Sequence, residues 1–108
     1  MIISEKARQR QKSVIDYITM RDIKNPIKSK QLEIMFSISG SDIRDIIHHY
    51  RSELNYPICS GVSGYFYPKD KTEAQHTLNH LKSRALRMFD AVKGIEAHYS
   101  DKGQERLF

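Results

Sequence analysis

A regular spacing of apolar residues in the last third of the chain limits its fold more than any other feature. Between residues 74 and 99 the apolar positions follow one another in alternating steps of four and three residues, without a break. This spacing predicts one straight helix with a single apolar seam along it. The seam consists of Ala74, Leu78, Leu81, Ala85, Met88, Val92, Ile95 and Tyr99.

The chain as a whole is long enough for one small domain. Its 108 residues are 39% apolar and 9% aromatic, which is ordinary for a globular protein. Apolar runs are three residues or fewer, so the sequence predicts neither a membrane-spanning helix nor a signal peptide. With one cysteine, an internal disulfide is impossible, and we expect a cytoplasmic protein. We divide the chain into a domain (residues 1–70), a long helix (71–100) and a flexible tail (101–108).

Positive charge is concentrated near the N-terminus. The chain carries 18 Lys and Arg against 13 Asp and Glu, a formal net charge of +5. Residues 1–30 hold eight of the basic residues and three acids, whereas residues 31–70 are net −2 and residues 71–108 net +2. A basic chain favours an acidic partner, and nucleic acid is the first candidate. The acidic middle segment can serve such a role only through its geometry.

Capping residues and apolar spacing predict three helices and then a β-hairpin in the first domain. The second helix is expected to be capped by Ser29 and to turn Leu32, Met35 and Phe36 inward. The predicted helices lie at residues 5–21, 29–36 and from the turn at 37–40 to about 54, and the strands at 56–60 and 64–69.

The third predicted helix separates an apolar side from a polar one. At 100° per residue the apolar side chains cluster within about 60° of one direction. They are Ile43, Ile46, Ile47, Tyr50 and Leu54. The polar residues opposite and beside them are Ser41, Asp42, Arg44, Asp45, His48, His49, Arg51 and Ser52. A helix packed by its apolar side, with polar side chains outward, is what reading the DNA major groove requires.

The region around this helix resembles a winged helix-turn-helix domain. The matching residues are Ser29-Lys30-Gln31-Leu32, Phe36-Ser37-Ile38-Ser39, Ile43-Arg44, Ile47-His48-His49-Tyr50-Arg51, Tyr56-Pro57-Ile58-Cys59-Ser60 and Gly64-Tyr65-Phe66-Tyr67. The resemblance covers about residues 5–70. It is closest to the N-terminal module of the biotin operon repressor and to small phage-encoded winged-helix proteins. It implies a mainly α fold with a small β-hairpin, in which the third helix enters DNA. Ser37 and Glu33 depart from the pattern, where glycine and alanine are common.

Base contacts are expected from the polar side of the third helix, and phosphate contacts from its flanks, the start of the second helix and the hairpin turn. The candidate DNA-binding residues are Lys28, Ser29, Lys30, Ser39, Ser41, Asp42, Arg44, Asp45, His48, His49, Arg51 and Ser63. Asp42 has an alternative role, because its spacing from Ser39 is that of a helix capping box.

The sequence shows no spacing typical of catalysis. A phosphate loop, a nucleophile elbow and paired carboxylates in an apolar setting are all missing, so we expect neither an enzyme nor a cofactor. His76 and His80 have the i, i+4 spacing of a metal chelate, but a third ligand is lacking nearby. We interpret them as solvated side chains, and Cys59 as a small buried one.

The seam has two possible partners. It can pack on Val14, Ile15 and Ile18 of the first helix in the same chain, or on a second copy of itself. Leu86 and Phe89 lie beside the seam and widen it. We favour a homodimer, because two copies can read a pseudo-palindrome. The expected dimerisation residues are Leu78, Leu81, Ala85, Met88, Val92 and Ile95.

These features predict a sequence-specific double-stranded DNA-binding protein, a phage or mobile-element transcription regulator that acts as a dimer. One alternative is a DNA-binding protein that organises phage replication. Another is a winged-helix module that binds or inhibits a host protein. The acidic middle segment and the apolar hairpin tip at Val62 support the second alternative.

Overall fold

The structure is a computed structural model that describes residues 3–101. It is mainly helical, with one antiparallel hairpin and a long C-terminal helix, so the predicted fold class is confirmed. The part of the predicted tail from residue 102 onward lies outside the described residues. In chain order the elements are α1 (Glu5–Thr19), α2 (Ser29–Phe36), α3 (Gly40–Ser52), β1 (Cys59–Gly61), β2 (Gly64–Phe66) and α4 (Lys71–Asp101).

Several predicted helices and strands were longer than those in the structure. Helices α1 and α3 each end two residues early, and the strands have three residues each. The N-cap of α2 is Lys28, so the prediction of Ser29 was wrong, and Ser29 is the first helical residue. The predicted inward placement of Met35 and Leu54 was also wrong, since both are exposed. Leu54 lies beyond the end of α3, where the helical spacing no longer applies.

The chain divides into two compact units, Met1–Gln75 and His76–Phe108. The described part of the second unit belongs to α4 alone. No helix within residues 3–101 has the length and apolar content needed to cross a membrane.

One aliphatic core holds the first unit together. Buried side chains from α1, α2 and α3 meet there with three residues from the segments between elements, and burial of such side chains is the main force for folding. The core residues are Ala7, Val14, Ile15, Ile18, Ile27, Leu32, Ile38, Ile43, Ile46, Ile47 and Ile58. Val14, Ile15 and Ile18 therefore pack within the first unit on its own elements.

The hairpin is fixed to the segment before α2 by backbone pairing. The amide of Ile27 donates to the Tyr65 carbonyl at 2.9 Å, and the amide of Tyr65 donates to the Ile27 carbonyl at 2.7 Å. Gly64, next in the strand, has φ +127°. A β-carbon there would overlap the carbonyl oxygen of Ile27 and lie 2.9 Å from the amide nitrogen of Lys28. Only glycine allows this approach.

Residues just before α4 cap its first turn. The Asp70 Oδ1 accepts from the amide of Glu73 at 3.0 Å, and the Glu73 Oε1 accepts from the amide of Lys69 at 3.0 Å. This reciprocal pair satisfies two amides at the helix start and fixes where α4 begins.

Replacing Gly64 with alanine should strongly destabilise the first unit, because the new β-carbon meets backbone that cannot move aside. We expect the variant to lose about 2 kcal/mol or more in the free energy of unfolding, measured in urea. Gly61→Ala is the matched control: no atom lies within 4 Å of a β-carbon there, so its loss should stay within about 0.5 kcal/mol. Equal losses in both variants would contradict the close approach of Gly64 to the Ile27 backbone.

Candidate nucleic-acid interface

The two sides of α3 differ as the sequence predicts. Ile43, Ile46 and Ile47 are buried in the core and hold the helix. Ser41, Arg44 and His48 are exposed, and Asp45 and His49 are half-buried. The exposed side chains occupy successive turns of one helix face, and the buried isoleucines keep that face at the surface.

The start of α3 is closed by a capping box. The Ser39 hydroxyl accepts from the amide of Asp42 at 3.0 Å, and the Asp42 Oδ2 accepts from the amide of Ser39 at 3.4 Å. The other carboxylate oxygen, Oδ1, accepts from the Ser4 hydroxyl at 3.1 Å. Both oxygens of Asp42 are therefore bound within the protein, and the capping alternative is present in the structure.

The start of α2 carries two of the candidate phosphate ligands. Lys28 and Lys30 are exposed, and the amide of Lys28 donates to the Gln31 Oε1 at 3.1 Å. Lys28 is the N-cap, and a lysine side chain offers no acceptor to the amides of the first turn. Exposed ammonium groups beside a helix N-terminus suit an anionic ligand.

The Glu33 side chain lies beside the starts of both α2 and α3. Its Oε2 accepts from the Ser29 hydroxyl at 3.2 Å. A β-carbon on Gly40 would lie 3.2 Å from the same Oε2 and 3.6 Å from the Arg44 Nη1. Glycine at the first position of α3 thus makes room for the long acidic side chain that replaces the expected small residue.

Arg51 does not project freely from α3. Its Nε donates to the Ile58 carbonyl at 2.8 Å, and its Nη2 donates to the Ser60 hydroxyl at 3.3 Å. Burial lowers the pKa of this guanidinium below its ordinary value. The group that the sequence suggested for a phosphate contact thus ties the end of α3 to the hairpin.

Tyr65 is a residue of this region that the sequence did not single out. It is half-buried, and burial raises the pKa of its hydroxyl, while the positive charges of Arg51 and Arg44 act to lower that pKa. Tyr65 packs against the aliphatic core, and its place in the strand predicted at residues 64–69 was the available signal for it.

The hairpin turn is apolar and exposed. Val62 is fully exposed at 102% of its reference area, and Ser63 beside it is exposed as well. The turn therefore presents an aliphatic side chain and a hydroxyl, together with backbone amides, to any partner.

The remaining candidates lie on α4. The rings of His76 and His80 are stacked with centroids 6.3 Å apart. Within residues 3–101 no group of three or more His, Cys, Asp or Glu side chains is placed to hold a metal ion. From Leu81 to Ile95, the expected dimerisation residues are exposed, whereas Leu78 is half-buried.

Comparisons of the chain with protein-family models, curated proteins and solved structures found no match.

Removal of the Arg51 guanidinium should loosen the hairpin. Arg51→Met keeps the aliphatic stem but leaves the Ile58 carbonyl without this donor, so we expect a loss of about 1–3 kcal/mol in the free energy of unfolding. Arg44→Met, a control on the same helix with an exposed side chain, should change it by less than about 0.5 kcal/mol. Equal stability of the two variants in urea would rule out the tether.

Proposed function

We propose that this chain is a sequence-specific double-stranded DNA-binding protein of the winged-helix type. On this proposal it acts as a dimeric transcription regulator of a phage or other mobile element in a bacterial cytoplasm. The observation that carries the proposal is the division of α3 into a buried isoleucine side and an exposed side with Ser41, Arg44 and His48. A helix of this kind, supported by a second helix, can enter a major groove about 12 Å wide.

Two of the candidate DNA-binding residues of α3 have side chains that are bound within the protein. Asp42 is bound by the capping box and by Ser4, and Arg51 is bound by the hairpin. Ser41, Arg44 and His48 remain exposed along α3, with Asp45 and His49 at its margin. Arginine and histidine donate hydrogen bonds to acceptors on guanine, and serine can donate or accept. We therefore assign base contact chiefly to these three exposed side chains.

Phosphate contact is assigned to the start of α2. Lys28 and Lys30 are exposed there, and the Ser29 hydroxyl donates to the Glu33 carboxylate. Cations at this position would hold the DNA backbone while α3 lies in the groove, which is the usual role of phosphate contacts. The hairpin, paired with Ile27 just before Lys28, would lie along the adjacent backbone, with Ser63 in its turn.

The assignment to a phage or mobile-element regulator comes from the resemblance of residues 5–70 to small phage-encoded winged-helix proteins. A role in organising phage replication uses the same DNA contacts and differs in the location of the binding site. The sequences bound in a genome distinguish the two, since a regulator's sites lie at promoters.

A second candidate function is binding of a host protein. Val62 is fully exposed at an uncharged hairpin turn, and Ile34 is exposed on α2 at 71%. Exposed aliphatic side chains suit a protein surface better than a phosphate backbone. If this function is correct, the protein binds DNA without a preferred sequence or does not bind it at all.

Selection from a random double-stranded DNA library separates the two functions. We expect one enriched motif that persists when the salt concentration is raised fourfold, while overall affinity falls through counterion release. Binding that disappears with salt and enriches no motif would reject the regulator.

Loss of the α3 side chains should abolish motif binding. Arg44→Ala together with His48→Ala removes two contacts worth about 1–3 kcal/mol each, so the Kd for the enriched motif should rise about 30-fold or more. His80→Ala with Arg87→Ala removes the same residue types from α4 and is the control. A double α3 variant that retains motif affinity, measured by fluorescence anisotropy, would overturn the assignment.

Dimerisation is tested by a charge placed in the seam. Leu81→Glu should convert a dimer to a monomer in sedimentation equilibrium, because the carboxylate would be buried between two apolar surfaces. Ser83→Glu places the same charge two residues away, off the seam, and should leave the dimer intact. A wild-type chain that sediments as a monomer would refute the dimer directly.

A further inference from the structure

From Leu81 to Ile95, the seam of α4 is exposed in the single chain. Leu81, Met88, Val92 and Ile95 are 38–69% exposed, and Phe89 beside them is 64% exposed. Five large apolar side chains on one side of a helix form a surface that soluble proteins usually bury against a partner. The partner must match a seam of alternating steps of four and three residues, which is the period of a coiled coil.

A second copy of α4 meets this requirement. Coiled-coil packing needs another straight helix with the same period over about 39 Å, the length of the seam from residue 74 to 99. Helices α1, α2 and α3 have 15, 8 and 13 residues, and their apolar sides are used in the core of the first unit. Among the described elements, only α4 itself has both the length and the period.

The charges beside the seam select the direction of pairing. Taking Leu78 and Leu81 as heptad positions a and d, Lys82 and Glu96 both occupy position e. In a parallel pair, position e faces position g of the partner, so Lys82 would meet Thr77 and Glu96 would meet Ala91. In an antiparallel pair, position e faces position e, and Lys82 meets the partner's Glu96 twice by symmetry.

The direction in which helical side chains lean also favours antiparallel pairing. Helical side chains lean toward the N-terminus of their own helix. In an antiparallel pair the two N-termini point in opposite directions, so Lys82 and the partner's Glu96 lean toward each other. The favourable contact is thus within reach of these long side chains.

Side-chain volumes along the seam also fit an antiparallel pair. Parallel pairing in register would place Ala85 against Ala85 and leave a thin layer in the core. Antiparallel pairing of all the seam layers places Ala85 against the partner's Met88 and Leu81 against the partner's Val92. Small and large residues then alternate across the interface, as close packing requires.

We infer that α4 forms an antiparallel two-stranded coiled coil with α4 of a second copy of this chain, with Leu81 opposite the partner's Val92. The partner's Glu96 pairs with Lys82 at each end of the contact. This pairing deepens the dimer of the proposed function and supplies its geometry. It also makes the a and d residues of each protomer's α4 inaccessible to other proteins.

Disulfide formation between single cysteines tests the direction. Leu81→Cys and Val92→Cys are made separately in a Cys59→Ala chain, and helical content is checked by circular dichroism. In the antiparallel pair, residue 81 lies about 16 Å along the axis from residue 81 of the partner, well beyond the 4.4–6.8 Å range of Cα distances that a disulfide spans. We expect no covalent dimer from either variant alone and a covalent heterodimer when the two are mixed under mild oxidation.

Two results of this experiment would overturn the antiparallel pair. Covalent dimers from the Leu81→Cys variant alone would establish a parallel pair and overturn the inference. No covalent product from the mixture, with Cys59→Ala sedimenting as a monomer, would overturn it as well. DNA binding is measured on the same samples: a monomer that still binds its motif would leave the DNA-binding function standing without this dimer.

A charge reversal gives an independent test. Lys82→Glu and Glu96→Lys should each weaken the dimer about fivefold at low salt, since two symmetric pairs become repulsive. Combining both changes in one chain should restore the dimer to within about twofold of wild type. Losses that multiply in the double variant would show that the two residues do not meet.

Discussion

The pairing of Ile27 with Tyr65 determines how the first unit presents its surface. Two backbone hydrogen bonds of 2.9 and 2.7 Å attach the hairpin to the residue just before the N-cap of α2. Gly64 makes this possible, because any β-carbon there would overlap the Ile27 carbonyl. The position of the hairpin relative to Lys28 and Lys30 is therefore set by backbone geometry rather than by flexible side chains.

The polar residues of the first unit divide into those that hold the structure and those that are available to a partner. Arg51 ties α3 to the segment that leads into β1, and Asp42 closes the start of α3 while binding Ser4. Arg44 and His48, on the same helix, are exposed. Asp42 and Arg51 are thus engaged within the protein, whereas Arg44, His48 and the basic groups at the start of α2 are exposed to a partner.

Helix α4 is built on a different principle from the rest of the chain. In the first unit, core residues of three helices cover one another, whereas α4 leaves its large apolar residues exposed from Leu81 to Ile95. A long helix in water is stabilised mainly by packing of its apolar side. The proposed antiparallel pair of α4 helices would provide that packing and would join the two surfaces that we propose bind DNA.

The sequence by itself determined the order of elements, the isoleucine side of α3 and the heptad seam, because each follows from local periodicity along a single helix. It could not determine which groups the long polar side chains contact. Whether Arg51 reaches a phosphate or the Ile58 carbonyl depends on where the hairpin returns, which is a contact between residues distant in sequence. The pairing of Ile27 with Tyr65 was likewise decided only by the tertiary structure, since one extended residue between two helices has no period to reveal it.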